Sequence, residues 1–293
     1  MNIGIIGSGG DGPGMNGCLY WLCKKLKKHN IIAFNYGYQG IIDNNIANYT
    51  LADYKAEKKK GGIIIKSSRS NEFRTPEGIN KAIANLQSNN IDVLIIMGGN
   101  GSLIGAKELI KRGVNVIFIP TTIDNDVQES DYSIGFDTAV NNAVDFICKV
   151  DTSMKAFDRI CIYEVMGRFC PDISNAVAKR VNASYTYTDK SNKIDMLETV
   201  KKSIANGDYS PIVILQENTI AADELKKYLA ENLNRDVKYA IVGYVQRGGF
   251  ATDYELKMSR AFADVAVKCV QTQHFNVLVR YNSETKKFES IEI

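Results

Sequence analysis

The chain has 293 residues, 45% of them hydrophobic and 24% charged, and its 36 Lys and Arg against 33 Asp and Glu leave a net charge of +3. That length supports two core-bearing units, and so small a positive excess excludes a broad electrostatic footprint for nucleic acid, so that any anion binding must be local. No apolar run approaches the about 18 residues of a membrane span, and the opening "MNIGIIGSGGDGPG" lacks the basic and apolar stretches of a secretory leader, so a cytoplasmic protein without a membrane partner is expected.

Taken in order, short runs rich in Ile and Val alternate with segments of helical period. "NIGIIG" precedes a helix over 14–29; "IIAFNY" and "GGIIIKSS" read as strands, the latter before a helix over 76–89; "IDVLIIMG" leads into 102–112, and "VNVIFIP" into roughly 135–150. The alternation continues with "RICIYEV", helices near 172–182 and 193–206, "PIVILQE", a helix at 221–233, "VKYAIVGY", a helix at 253–271 and two closing strands near 275–281 and 287–292. Such a pattern predicts an α/β protein with mostly parallel, doubly wound sheets. With no linker between the halves, the chain is expected to cross between lobes more than once, with one lobe formed by 1–137 plus 246–293 and the other by 138–245.

Six cysteines form no CxxC pair and two histidines complete no metal set, so reduced structural thiols are expected. The runs "KKLKKH" and "EKKK" read as solvated helix faces, and Trp21 as a packing residue.

Three turns that follow strands carry the chemistry. "GSGGDGPGMN" (7–16) lies between a strand and a helix, where small residues let backbone N–H groups approach an anion and the helix dipole favours negative charge. "GGNGSLIGAKEL" (98–109) repeats the arrangement, with Ser102 expected as N-cap. Neither ends in GK[ST], and neither has the glycine order of a dinucleotide fingerprint, which argues against a P-loop and against a Rossmann oxidoreductase. The third, "TTIDND" (121–126), sets Asp124, Asn125 and Asp126 at a strand mouth. Two carboxylates there fit a divalent cation and a proton acceptor, and they fit turn capping too.

"SGGDGPGMN", "GGNGS", "IPTTIDND", "DYSIGFDTA", "EVMGR" and "GYVQRGG", in this order and spacing, resemble the ATP-dependent 6-phosphofructokinase family of bacterial type, from residue 1 to about 272. The resemblance implies transfer of the ATP γ-phosphoryl group to the 1-hydroxyl of fructose 6-phosphate, in glycolysis, in a cleft between two lobes. It implies Asp124 as general base with Thr122 beside it, Asp126 at magnesium, and Gly10, Arg69 and Arg168 on the transferring phosphoryl group. It implies Tyr38, Ser70, Gly99, Asn100, Gly101, Ser102 and Gly105 around the nucleotide. Met166, Gly167, Arg168 and Glu217 would meet the sugar hydroxyls, and Arg159, Lys238, Tyr244 and Arg247 the 6-phosphate. Arg159 and Lys238 would come from a neighbouring subunit, so a homodimer or homotetramer is implied.

Departures from the family pattern modify those expectations. The family's "GGDGS" aspartate is Asn100 here, a poorer ligand for magnesium. An arginine and a histidine of the phosphate pocket become Lys238 and Tyr244, which weakens two-pronged anion recognition and leaves the preferred sugar open. Gly101 leaves room for a nucleoside, favouring ATP over pyrophosphate, while Thr121 is typical of neither donor group. The positions matching the effector site are Tyr20, Lys24, Leu51, Val150 or Asp151, Ser184, Asn206 and Asp208, which predicts no response to ADP or phosphoenolpyruvate. The chain also stops short of the family's terminal helix. The competing readings are a catalytically impaired nucleotide- or sugar-phosphate-binding paralogue or regulatory subunit, and a pyrophosphate-dependent kinase.

Overall fold

Apolar runs without a polar face become strands buried on both sides. In the computed structural model, which describes all 293 residues, the first part of the chain forms β1 (Asn2–Gly7), α1 (Met15–Lys25), β2 (Asn30–Ala33), α2 (Gly37–Ile42), α3 (Leu51–Glu57), α4 (Pro76–Ser88), β3 (Val93–Gly98), α5 (Asn100–Ile110), β4 (Val116–Pro120) and α6 (Phe136–Lys155). The rest forms β5 (Ile160–Val165), α7 (Asp172–Val181), β6 (Tyr185–Tyr187), α8 (Lys193–Ala205), β7 (Ile212–Gln216), α9 (Ala222–Leu233), β8 (Val237–Ile241), α10 (Asp253–Gln271), β9 (Val277–Asn282) and β10 (Lys287–Glu292).

The chain divides into two units, Met1–Asp137 with Arg247–Ile293, and Thr138–Gln246. In the first, the sheet runs β10-β9-β4-β3-β1-β2, parallel except for the β9–β10 hairpin. Because side chains alternate along a strand, Ile5, Ile95, Ile117 and Ile119 pack on one face with Leu19 and Leu22 of α1 and Phe262 and Ala266 of α10. Ile6, Leu94, Ile96 and Phe118 pack on the other with Ile79 of α4 and Leu103 and Leu109 of α5. Four helices, α3, α4, α8 and α10, start where the sequence supplies a side-chain oxygen: in α4 Thr75 accepts from Gly78 N ahead of Pro76, and in α10 Thr252 accepts from Glu255 N.

The second unit is a four-stranded parallel sheet of order β6-β7-β5-β8. Ile160, Ile162, Val213 and Leu215 form its core with Met196 and Val200 of α8 and Leu225 and Leu229 of α9.

Three expectations are corrected. "GGIIIKSS" is a loop, because Gly62 and Lys66 take left-handed φ of 75° and 59° and break the pleat. Asn16 then caps the loop, its Nδ2 donating to Lys60 O and its Oδ1 accepting from Ile64 N. α2, α3 and β6 are short elements that the periodicity does not reveal. The strand expected over 237–244 ends at Ile241, and residues 243–247 form a 3₁₀ turn. The second unit closes on Gln246, a fully buried amide whose Oε1 accepts from Met166 N at 2.8 Å. All six cysteines are free, but Cys148 is exposed and Cys170 half-buried, so not all are core thiols. No helix is long and apolar enough to cross a membrane.

Candidate active site

The turns after β1, β3 and β4 lie at the carboxyl ends of adjacent parallel strands, the edge where doubly wound sheets bind ligands. Three hydrogen bonds tie them together. Ser8 N donates to Met97 O at 2.9 Å, Ser102 Oγ to Ser8 O at 3.1 Å, and Thr121 N to Gly98 O at 2.8 Å. Ser102 is therefore not the N-cap: α5 begins at Asn100 with Gly99 as cap, and the buried Ser102 hydroxyl fastens the first turn to the second.

The "TTIDND" loop is held from the following segment. Ser133 N donates to Asn125 Oδ1 at 2.8 Å, and Ser133 Oγ to Thr122 O at 2.7 Å, while Asn125 takes a left-handed φ of 55°. Within it Asp124 N donates to Thr122 Oγ1 at 3.2 Å, and Asp124 is only 5% exposed. A buried acid beside a hydroxyl at a strand mouth is suited to accept a proton in a water-poor site. Asn100 reaches across, its Nδ2 donating to Asp126 O at 2.9 Å. An aspartate there could not donate this bond, so Asn100 gains a loop tether where it loses a charge.

The other residues expected at the nucleotide separate into open and committed ones. A Cβ added at Gly101 would meet nothing within 4 Å, so the turn is open there. Gly105 is covered by Tyr38, whose ring atoms lie 2.8–2.9 Å from where a Cβ would stand. Tyr38 itself is buried, stacked on Phe73 at 4.0 Å, with its hydroxyl donating to Ser102 O at 2.6 Å. Burial holds that phenol protonated by pushing its pKa up. Tyr38 thus shapes the loop, and its polar atom is committed. Ser70 Oγ donates to Gln39 Oε1 and accepts from Phe73 N. Arg69 is exposed on a segment fastened to the first turn by Ser67 Oγ donating to Gly9 O at 2.8 Å. Arg247 also gathers here: its Nη1 lies 3.8 Å from Asp11 Oδ1 and 3.9 Å from where a Cβ added at Gly10 would stand.

In the second unit, the turn after β5 is built by Glu217 and Gln216. Glu217 Oε1 accepts from Gly167 N at 3.0 Å and Arg168 N at 2.8 Å, and Gln216 Nε2 donates to Arg168 O at 2.9 Å. These bonds fix a turn in which Arg168 has a φ of 49°. Glu164, Val165, Met166, Glu217, Ile241, Gly243 and Tyr244 line a cavity of about 200 Å³. Burial, and then the Glu217 charge, raises the Glu164 carboxyl above its ordinary range. Glu164 was missed in the sequence; a lone charge closing the apolar strand "ICIYEV" is the signal that could have found it. Arg159 and Lys238 lie at the opposite end of β5 and β8, where both pair with Asp236 at 2.6 and 2.9 Å and hold its carboxyl below the usual range. Arg159 and Met166 are seven steps apart along the chain, roughly 23 Å when extended. One copy therefore does not bring these cations to Met166 and Glu217.

A doubly wound α/β fold with strand-end turns drawn together defines a ligand-binding protein of the kind that handles nucleotides at its sheet edge. The model of the phosphofructokinase family matches residues 2–270, and the chain belongs to that family. It is 37% identical over 305 aligned positions to the ATP-dependent 6-phosphofructokinase of Sulfurihydrogenibium sp. (strain YO3AOP1), covering 99% of this chain and 93% of that one. It is 36% identical over 261 positions to the ATP-dependent 6-phosphofructokinase of Clostridioides difficile (strain 630), covering 85% and 80%. Among solved structures, the phosphofructokinase of Saccharomyces cerevisiae superposes with a TM-score of 0.89 at 25% identity, over 99% of this chain and 44% of that longer one. A pyrophosphate-dependent phosphofructokinase from Marinobacter aquaeolei gives a TM-score of 0.84 at 17% identity over 99% and 81%, a likeness of fold.

Proposed function

We propose that this phosphofructokinase transfers the γ-phosphoryl group of ATP to the 1-hydroxyl of fructose 6-phosphate in the cytoplasm. The observation that carries the reading is the tying together of three strand-end turns around the buried Asp124, with an open backbone at Gly101. The first unit takes the nucleotide along Gly99, Asn100, Gly101 and Ser102, bounded by Tyr38, Ser70 and Gly105. The second takes the sugar phosphate at Met166, Gly167, Arg168 and Glu217, with Tyr244 at the cavity rim.

Asp124 accepts the proton of the sugar 1-hydroxyl as that oxygen bonds to the γ-phosphorus; the bond from phosphorus to the β–γ bridging oxygen breaks, and ADP leaves. Thr122 orients the loop, and the Gly10 amide with Arg69 and Arg168 stabilises charge on the transferring oxygens. No cluster of three or more His, Cys, Asp or Glu side chains is arranged to hold a metal alone. The Asp126 carboxylate, with Asn100 as a weak neighbour, instead fits magnesium that takes most of its ligands from phosphate and water. When bound, that ion neutralises charge on the phosphates.

The separation of Arg159 and Lys238 from Met166 supports a site completed by a second copy, in a homodimer or homotetramer. At positions matching the family's effector site, Asp208 accepts from Ser184 and from the neighbouring Ser203, and Asp151 pairs with Lys155, which supports insensitivity to ADP and phosphoenolpyruvate. A coupled assay with ATP or pyrophosphate against several sugar phosphates tests the reading. Turnover with ATP and fructose 6-phosphate is expected; nucleotide binding without turnover on any pair would overturn it in favour of an impaired paralogue.

A further inference from the structure

Glu255, in the first turn of α10, is fully buried although nothing in the reaction uses it. Carboxylates are almost never buried to this extent unless bonded, and an apolar side chain would fill such a space at less cost in desolvation. Its Oε1 accepts from Tyr132 Oη at 3.0 Å. Tyr132 is 7% exposed, its ring edge-on to Phe136 and Tyr254. The next residue is Ser133, the clasp that bonds Thr122 O and Asn125 Oδ1 on either side of Asp124.

The same carboxylate side chain touches the phosphate turn. At Gly14, with a φ of 90°, an added Cβ would stand 2.8 Å from Glu255 Cγ, 2.8 Å from Ser259 Oγ and 2.7 Å from Ile134 Cγ2. Ser259 Oγ donates to Gly14 O at 3.0 Å and to Glu255 O at 2.8 Å. Gly14 is also the N-cap of α1, closing the turn that begins at Gly7. One buried side chain therefore meets the turn after β1 directly and the loop after β4 through Tyr132.

We infer that Glu255 is a positioning residue for phosphoryl transfer, fixing the phosphate turn and the Asp124 loop in one register through its bond to Tyr132. The inference rests on the phosphotransferase reading above. A merely structural carboxylate would affect folding alone; a positioning one governs the geometry of an assembled site, where small displacements are costly in rate.

The test compares Tyr132→Phe, Glu255→Ala, Glu255→Gln and the double variant Tyr132→Phe/Glu255→Ala in the full chain. Tyr132→Phe and Glu255→Ala are expected to lower kcat at least about tenfold while the KM values for ATP and sugar phosphate stay within about twofold. Glu255→Gln, whose amide oxygen can still accept from Tyr132, restores most of the rate, and the double variant is no worse than either single one. Backbone amides of 121–126 exchange hydrogen faster in Tyr132→Phe by more than its fall in melting temperature accounts for. The inference is overturned by a folded Tyr132→Phe with wild-type kcat and wild-type exchange, or by variants that lose rate only in step with folded protein. Should the wild type turn over no pair of substrates, the phosphotransferase reading falls, and the exchange of 121–126 still decides whether Glu255 holds the loop.

Discussion

Asp124 and Glu164 are both carboxylates at the carboxyl end of a parallel strand, yet their surroundings differ. Asp124 sits in a loop pinned by Ser133 and Asn125, with Thr122 Oγ1 accepting from its own N–H. If it removes the proton, Asp124→Asn lowers kcat by about 10² to 10⁴ with nucleotide affinity by titration calorimetry unchanged. A rate loss of less than about tenfold would assign the proton elsewhere. Glu164 faces Glu217 across the cavity, and burial raises its folded pKa. For an acid with a raised pKa, the stability of the neutral form is fully present below the unfolded pKa and lost as pH rises through the folded value. Glu164→Gln is therefore expected to melt above the wild type at about pH 7 and level with it near pH 4. A uniform offset at both pH values would exclude the carboxyl as the cause.

At the scale of elements, the turns depend on close approach. Gly14 places backbone where Ile134, Glu255 and Ser259 leave no room for a methyl group, in a left-handed conformation that side chains resist. Gly14→Ala is expected to cost roughly 2 kcal/mol or more in urea unfolding; a loss below about 0.5 kcal/mol would show that α10 and the loop yield easily. Legibility follows the same physics. β1, β3 and β4 could be read because uninterrupted Ile and Val runs fit only a strand covered on both faces. "GGIIIKSS" has the same composition and is a loop, since Gly62 and Lys66 turn the backbone and Asn16, far away in sequence, caps it. The start of α5 was misplaced because Ser102, a good capping residue, spends its hydroxyl on Ser8 O.

For the whole molecule, two cations of the expected phosphate pocket lie at the wrong end of their own sheet, paired with Asp236. If a second copy supplies them, Arg159→Ala and Arg168→Ala are each inactive, and an equal mixture refolded together regains about a quarter of the activity through hybrid pairs with one intact site. No recovery in mixed oligomers would place every site within one copy. The family itself was legible at this scale, because six ordered motifs spanning most of the chain leave little room for coincidence.

The sequence by itself determined the α/β class, the family and the three strand-end turns, because strand burial and glycine turns are local demands written in neighbouring residues. Only the tertiary structure decided that Tyr38 covers Gly105, that Asn100 tethers Asp126, that Glu164 faces Glu217, and that Glu255 joins two turns through Tyr132. Each of these joins residues distant along the chain or set on different elements, and which side chains meet is fixed by sheet order and packing, which no local pattern encodes.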